Sequence, residues 1–356
     1  MVFMRPVSDL DTPSVTILID RVQANIDRIQ AMVAGAGFAN RPHIKTHKIP
    51  QIARMQIAAG AVGITCQKLS EAEAFIDAGV ADDILITFNI VGEKKLERLM
   101  ALSARIKRLA VVADSEVVLR GINAAAVQHN RVVPFLIECD TGFGRNGVQS
   151  PAAALSLAQL AASLPGVRFE GLMTYPIGTA AAKTFLVDAL ALFAQAGVAV
   201  PIVSGGGSPA LKTLADFPML TEHRAGTYVY NDVMMMASGI AEWDDCALQV
   251  RATVVSRPSP DRAVIDAGSK VLTREQYYVK DFGRVVEYPD AVVTGLSEEH
   301  GIIDLSRSAT KPEVGDVISV IPNHCCVVSN MVDQVYVVRD GAVIDIFPVA
   351  ARGAVW

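Results

Sequence analysis

This chain is short of charge. Only 19% of its 356 residues are Asp, Glu, Lys or Arg, the formal balance is −5, and no long basic run occurs. Nucleic-acid binding therefore has no electrostatic footprint here. Cysteine is scarce as well. There are five, an odd number without regular spacing, which argues against a disulfide framework and for a reducing cytoplasm. No apolar run approaches the length that spans a bilayer, so a hydrophobic share of 51% reads as core rather than membrane. That share also excludes extensive disorder. The opening MVFMRPVSDLDTPS carries acids early and no long apolar segment, unlike a secretory signal. Heptads, low-complexity tracts and short-period repeats are missing too.

What is present is a rhythm. From residue 20 to about 240, short apolar runs alternate with helical patterns. The predicted strands are HIK (43–45), GITCQ (63–67), DILITF (83–88), RLAVVAD (108–114), VPFLIECD (133–140), FEGLMTY (169–175), PIVSGGG (201–207) and EHRAGTYVY (222–230). Several intervening helical stretches end on Gly, a C-terminal signal. Eight strands in βα alternation predict an α/β fold, a parallel (β/α)8 barrel over 20–240, with an open doubly wound sheet as the competing arrangement. After Met236 the texture changes to strand-like runs split by turn signals such as SPDR and RDG. This predicts an additional all-β domain from 241 to 356, joined by residues 1–19, where SVTILID reads as a strand.

Four stretches carry chemistry. RPHIKTHK packs Arg41, His43, Lys45, His47 and Lys48 into eight residues. On a strand, His43, Lys45 and His47 would share one face. A deprotonated lysine at the catalytic end of a barrel strand can form a Schiff base with an aldehyde cofactor, and neighbouring cations would lower its pKa. The stretch also reads as a basic surface strand with solvated ends. VSGGGSP (203–209) sets three glycines after a strand, where backbone N–H groups and a following helix N-terminus can hold an anion; a tight turn is the plain alternative. Gly226 follows the next strand. Loops after barrel strands seven and eight commonly bind phosphate, so a phosphate-bearing aldehyde, pyridoxal 5′-phosphate, fits both ends. In ECDTGFGRNGV, Arg145 is a permanent cation in a glycine-rich loop, suited to a phenolate or carboxylate, or to an ordinary ion pair. In PNHCCVVSN, His324 and Cys326 would face one way on a strand and could share a Zn2+ ion with open positions left for water or substrate; a buried Cys beside a core His is the alternative. SEEHG adds a further histidine, His300.

Taken in order, RPHIKTHK, GITCQKLSEAEAFIDAG, ECDTGFGRNGV, VSGGGSP, EHRAGTYVYND, VIDAGSK, LSEEHG and PNHCC resemble the D-threonine aldolase / D-serine dehydratase family, enzymes of the alanine-racemase-type barrel, over nearly the whole chain. The resemblance implies Lys45 as the Schiff-base lysine and Arg145 near the cofactor ring oxygen. It implies Ser204, Gly205, Gly206 and Gly207, with Gly226 and Thr227 or Tyr228, around the phosphate. His324 and Cys326 would bind a divalent metal, Zn2+ ahead of Mn2+ or Mg2+. Tyr175 and His43 join Lys45 as expected catalytic groups, and the family is typically homodimeric. Metal-assisted loss of the β-hydroxyl proton would give retro-aldol cleavage of a D-threonine-like substrate. Loss of the hydroxyl after proton abstraction by Lys45 would give dehydration of a D-serine or 3-hydroxyaspartate type. The histidine–X–cysteine pair leans toward the dehydratase branch. Both branches usually place a histidine just after the sixth strand, where this chain has MTYPIGT. A racemase of the same fold would need a second base, for which no tyrosine stands out, and a pure cofactor carrier would not need the metal pair.

Overall fold

The computed structural model describes residues 5–356. By contacts the chain divides into two compact units. One takes residues up to 28, 46–51 and 227–353; the other takes 29–45, 52–226 and 354–356. The sequence reading put the boundary near 240. The division falls instead at Gly226, and the segment 46–51 goes with the antiparallel unit.

In the unit of residues 29–45, 52–226 and 354–356, eight parallel strands run in order: Ala39–Asn40, Ile64–Cys66, Asp83–Asn89, Arg108–Ala113, Val133–Cys139, Val167–Thr174, Ile202–Gly206 and Glu222–Arg224. The last pairs with the first, Glu222 opposite Ala39. A parallel bridge between His43 and Thr65 joins the first strand's continuation to the second. The ring is thereby a closed (β/α)8-type barrel. Helices follow the strands because the sequence supplies starts for them. Ser150 and Thr179 accept hydrogen bonds from the backbone N–H of Ala153 and Ala182, at 3.2 and 3.1 Å, capping Pro151–Ala161 and Ala180–Gln195.

Leu85, Ala110, Val112, Leu136 and Met173 form one buried cluster contributed by four successive strands. Side chains alternate along a strand. Two residues beyond Leu136 on the same face comes Glu138, and the alternation from Met173 leads to Tyr175. Polar groups thus begin where this apolar layer ends, toward the C-terminal ends of the strands.

Three expectations for local structure need correction. Only Ala39–Asn40 forms the first strand; Ile44–Thr46 is a turn of 3-10 helix, so Lys45 lies just beyond the strand. Three residues per turn end the period-two alternation that grouped His43, Lys45 and His47. The eighth strand stops at Arg224, and Thr227–Val229 is again 3-10. After the seventh strand comes a 3-10 segment kinked at Thr213 rather than an α-helix.

The other unit is a ten-stranded sheet, antiparallel apart from the pairing of Gln334–Arg339 with Ser14–Leu18. Its longest strand, Leu248–Ser259, pairs with Ser14–Leu18, Arg262–Ile265 and Val317–Pro322. The N-terminal SVTILID therefore does enter the β unit. Among the described residues, no helix is long and apolar enough to cross a membrane.

One glycine is fixed by close approach. The register between the fifth and sixth strands slips at Gly171, which has φ +150°, and a Cβ there would lie 1.9 Å from the Ile202 carbonyl oxygen. Gly171→Ala is expected to cost about 2–4 kcal/mol. Urea unfolding of the two proteins checks this; equal midpoints would contradict it.

Candidate active site

The barrel's C-terminal ends collect a cluster of charges. His43 Nε2 lies 3.1 Å from Gln67 Oε1, and Gln67 Nε2 donates to the Thr87 carbonyl at 3.0 Å. The amide is thus oriented with its oxygen toward the imidazole, so His43 carries its proton on Nε2. Nδ1 then faces the Lys45 backbone N–H at 3.4 Å. Burial, reinforced by the Lys45 charge, holds His43 well below its ordinary pKa. His43 is therefore neutral, and does not act as the cation expected to activate Lys45. Lys45 itself is exposed. His47 is fully buried, edge-on to Tyr230, and its Nδ1 accepts from the Ile49 N–H. Lys48, at φ 54°, donates to Asn330 at 2.8 Å.

Arg145 is presented by a loop that Asp140 builds. One Asp140 oxygen accepts the backbone N–H groups of Gly142, Phe143 and Gly144 at 3.0, 2.9 and 3.1 Å. The guanidinium carbon then sits 5.0 Å from the Tyr175 ring centre, its Nε donates to Asn146, and Nη2 lies 3.5 Å from Glu138. Tyr175 also meets Phe143 edge-on at 5.5 Å. Arg145 and Tyr175, expected near a cofactor, are thus brought together. No histidine follows Tyr175 directly: Pro176 and the buried Ile177 come next.

Arg224 and Glu222 were missed from sequence, although charged residues on the short strand Glu222–Arg224 were a signal. Arg224 is buried and donates to Ser204 Oγ and, at 3.0 Å, to the Thr174 carbonyl. Ser204 Oγ donates to Glu222 at 2.6 Å, and Glu222 accepts from Arg41 Nε at 2.9 Å. Burial brings Arg224 down to about 10, still protonated at neutral pH. Burial would raise Glu222, but Arg41 outweighs it and holds the carboxyl below its ordinary value.

This network revises the expected phosphate group. The Ser204 hydroxyl is committed to Glu222 and Arg224, and the Gly207 N–H donates to the Arg224 carbonyl. Gly205 and Gly206 pair with the eighth strand. Tyr228 is fully buried, and Thr227 Oγ1 lies 3.7 Å from Cys326 Sγ. Gly226 remains partly exposed. The glycines are nevertheless needed. A Cβ on Gly206 would fall 2.9 Å from Arg224 Nη2 and 3.4 Å from the Tyr175 ring, so the strand end packs directly on both. His223 Nε2 donates to the Gly207 carbonyl at 3.2 Å, leaving a buried Nδ1 acceptor without a protein partner. An exposed lysine, a guanidinium over a tyrosine ring and a buried arginine suit an aromatic aldehyde bearing a phosphate.

In the antiparallel unit, His324 and Cys326 are not on a strand. His324 is the N-cap of the helix Cys325–Met331 and Cys326 lies in its first turn. They are still brought together. Hydrogen bonding from Cys325, with help from His324 and Thr46, holds the Cys326 thiol well below its ordinary pKa. Burial would lower His324, but the charges of Cys326, Glu275 and Asp232 prevail and hold it at about 10. Cys326 Sγ and Thr46 Oγ1 hydrogen-bond at 3.1 Å. Thr46 is the residue after Lys45 in the chain. Among the described residues no group of three or more His, Cys, Asp or Glu side chains is arranged for a metal. A thiolate and an imidazole suit a soft divalent ion with open positions. His300 lies in a turn, its Nδ1 3.4 Å from Ser297 Oγ.

Glu138 is 2% exposed. Burial pushes its carboxyl up to about 7 despite Arg145 and Arg224. The folded pKa lies above the ordinary one, so the protonated form is favoured in the fold. Its contribution is complete below about pH 4.5 and is lost as pH rises through about 7. Relative to Glu138→Gln, the parent should lose about 3 kcal/mol across that window. Urea unfolding of both proteins at about pH 4.5 and about pH 8 measures it; parallel pH profiles would contradict it.

Comparison with known proteins gives a consistent picture. Residues 17–233 match the alanine racemase N-terminal domain, and residues 247–338 match a serine dehydratase domain. A D-threonine aldolase of Arthrobacter sp is 36% identical over 366 residues, 98% of this chain and 94% of that protein. The D-threo-3-hydroxyaspartate dehydratase of Delftia sp. (strain HT23) is 32% identical over 89% of this chain and 91% of its own. The crystal structure of D-threonine aldolase from Filomicrobium marinum superimposes with a TM-score of 0.89 at 31% identity, covering 99% of this chain and 98% of that one.

Proposed function

The chain belongs to the D-threonine aldolase and D-serine dehydratase family of alanine-racemase-type barrel enzymes, and we propose that it is a lyase dependent on pyridoxal 5′-phosphate and a divalent metal, acting on β-hydroxy D-amino acids. The carrying observation is the exposed Lys45 in the charge cluster at the C-terminal ends of the barrel strands, beside neutral His43. When bound, the cofactor would supply an electron sink for the substrate α-carbon and the metal a Lewis acid for its β-hydroxyl.

The chain's own groups divide the remaining work. Lys45 would hold the cofactor aldehyde and, once released, move a proton at Nζ. Neutral His43 leaves that amine without a second full charge from its own ring. Arg145 stays protonated in this loop and, stacked on Tyr175, offers a fixed cation to a phenolate oxygen or carboxylate. Arg224 is a second fixed cation, braced from below by Ser204 and Glu222. Phosphate binding falls to the loops after the seventh and eighth strands, through Gly226 and the backbone beyond Gly207, rather than through Ser204 Oγ or Tyr228. His324 and Cys326 would hold the metal, Zn2+ ahead of Mn2+ or Mg2+, and a homodimer is the assembly we expect.

Retro-aldol cleavage of D-threonine-like substrates is the first reading, in line with the Arthrobacter and Filomicrobium relatives. One observation favours dehydration as a second. The sixth-strand loop brings no imidazole to take a hydroxyl proton, and a phenol such as Tyr175, with an ordinary pKa of about 10, is a weak base. A D-amino-acid product assay separates the two. Acetaldehyde with glycine from D-threonine supports cleavage; a 2-oxo acid with ammonia supports dehydration. Chelation is expected to abolish turnover while the protein keeps its cofactor colour. Full turnover after thorough metal removal would contradict the metal-dependent reading.

A further inference from the structure

His324 is held by a loop that the function above does not use. Residues 273–281 follow the short helix Ser269–Leu272 and precede the strand Gly283–Val285. Two of them take left-handed backbone, Thr273 at φ 63° and Tyr277 at φ 46°. Side chains in that region cost energy unless neighbours fix them. Here the fixing contacts come mainly from Asn323 and His324. Glu275 Oε2 pairs with His324 Nδ1. The preceding residue, Asn323, donates its side-chain amide to the Glu275 carbonyl at 3.2 Å and to the Asp281 carbonyl. Two consecutive residues at the helix start thus clasp Glu275 by its backbone and its side chain. The Tyr277 ring stands edge-on to the imidazole at 5.8 Å. Gln276 closes the loop through the Lys280 carbonyl.

We propose that Glu275 is a positioning residue: it accepts the Nδ1 proton of His324, fixes the tautomer and ring plane, and leaves Nε2 as the nitrogen that joins Cys326 on a divalent cation. A carboxylate behind an imidazole ligand raises its basicity and removes the entropy of ring rotation. The device matters more here than in a four-ligand site, because only two protein ligands are in place and one loose ring forfeits half of them. The partly exposed Glu275, with 38% of its side-chain surface open, serves this role without the cost of a fully buried charge. This inference rests on the reading of His324 and Cys326 as a cation pair.

The test uses the cofactor-loaded protein stripped of metal, with Zn2+ alone titrated in competition with a chromogenic chelator. Wild type is expected to bind one Zn2+ per chain. Glu275→Ala should bind about ten- to hundredfold more weakly. Glu275→Gln, which can still accept from Nδ1 but lacks the charge, should fall between them. Gln276→Ala breaks the loop's own closure and spares the carboxylate, so it should bind like wild type. In 15N-histidine spectra, zinc-loaded wild type should show His324 protonated at Nδ1, and that signature should be lost in Glu275→Ala. Equal affinity in Glu275→Ala overturns the proposal. So does an equal loss in Gln276→Ala, which would make loop integrity the cause. If wild type itself takes up no Zn2+, the cation-pair reading beneath the proposal fails instead.

Discussion

One buried carboxylate, Glu222, has to neutralise guanidinium groups on two sides. Arg41 donates to it directly, and Arg224 reaches it through Ser204. Arg41 continues to Asp83 at 2.7 Å, Asp83 to Arg108, and Arg108 to Glu170. A polar chain therefore runs through the barrel to the residues that carry the site. Burying such ions costs several kcal/mol each, and removing one partner of a buried pair typically costs about 3–5 kcal/mol. Glu222 is thus the residue on which the placement and charge of Arg224 depend. It also explains why the eighth strand reads EHR, a polar triplet where an apolar strand would be expected.

The same logic separates the groups that are braced from those that are free to react. Arg145 is tied to Tyr175, Asn146 and Glu138 by a loop that Asp140 folds. His43 is held neutral by burial and the Lys45 charge, and Gln67 sets its tautomer. Lys45 keeps an exposed amine on a 3-10 turn, just past the strand. Its covalent neighbour Thr46 belongs to the other compact unit and meets the Cys326 thiol.

Much of this was legible in the sequence. Seven of the eight barrel strands were found because their apolar runs are bounded by turns, while the first was placed at 43–45 instead of Ala39–Asn40; SVTILID pairs in the β unit as expected. Lys45, Arg145 and the His324–Cys326 pair stood out as charged or ligating residues in otherwise apolar surroundings. Period-two reasoning failed where the backbone turns: RPHIKTHK leaves the strand at Asn40, and PNHCC starts a helix. The role given to Ser204 failed for another reason. A hydroxyl can face either a ligand or a buried ion pair, and its partners, eighteen and twenty residues away, leave no local trace. Glu275 was invisible for the same cause, lying 49 residues from His324.

Everything assigned to this site depends on which side chain carries the coenzyme. Borohydride reduction of the yellow protein, followed by proteolysis and mass spectrometry, reads this directly. The account predicts a single pyridoxyl-modified peptide, spanning RPHIKTHK with the added mass on Lys45, and none from a Lys45→Ala variant. Modification of a different lysine, or a chain that takes up no coenzyme, would contradict it.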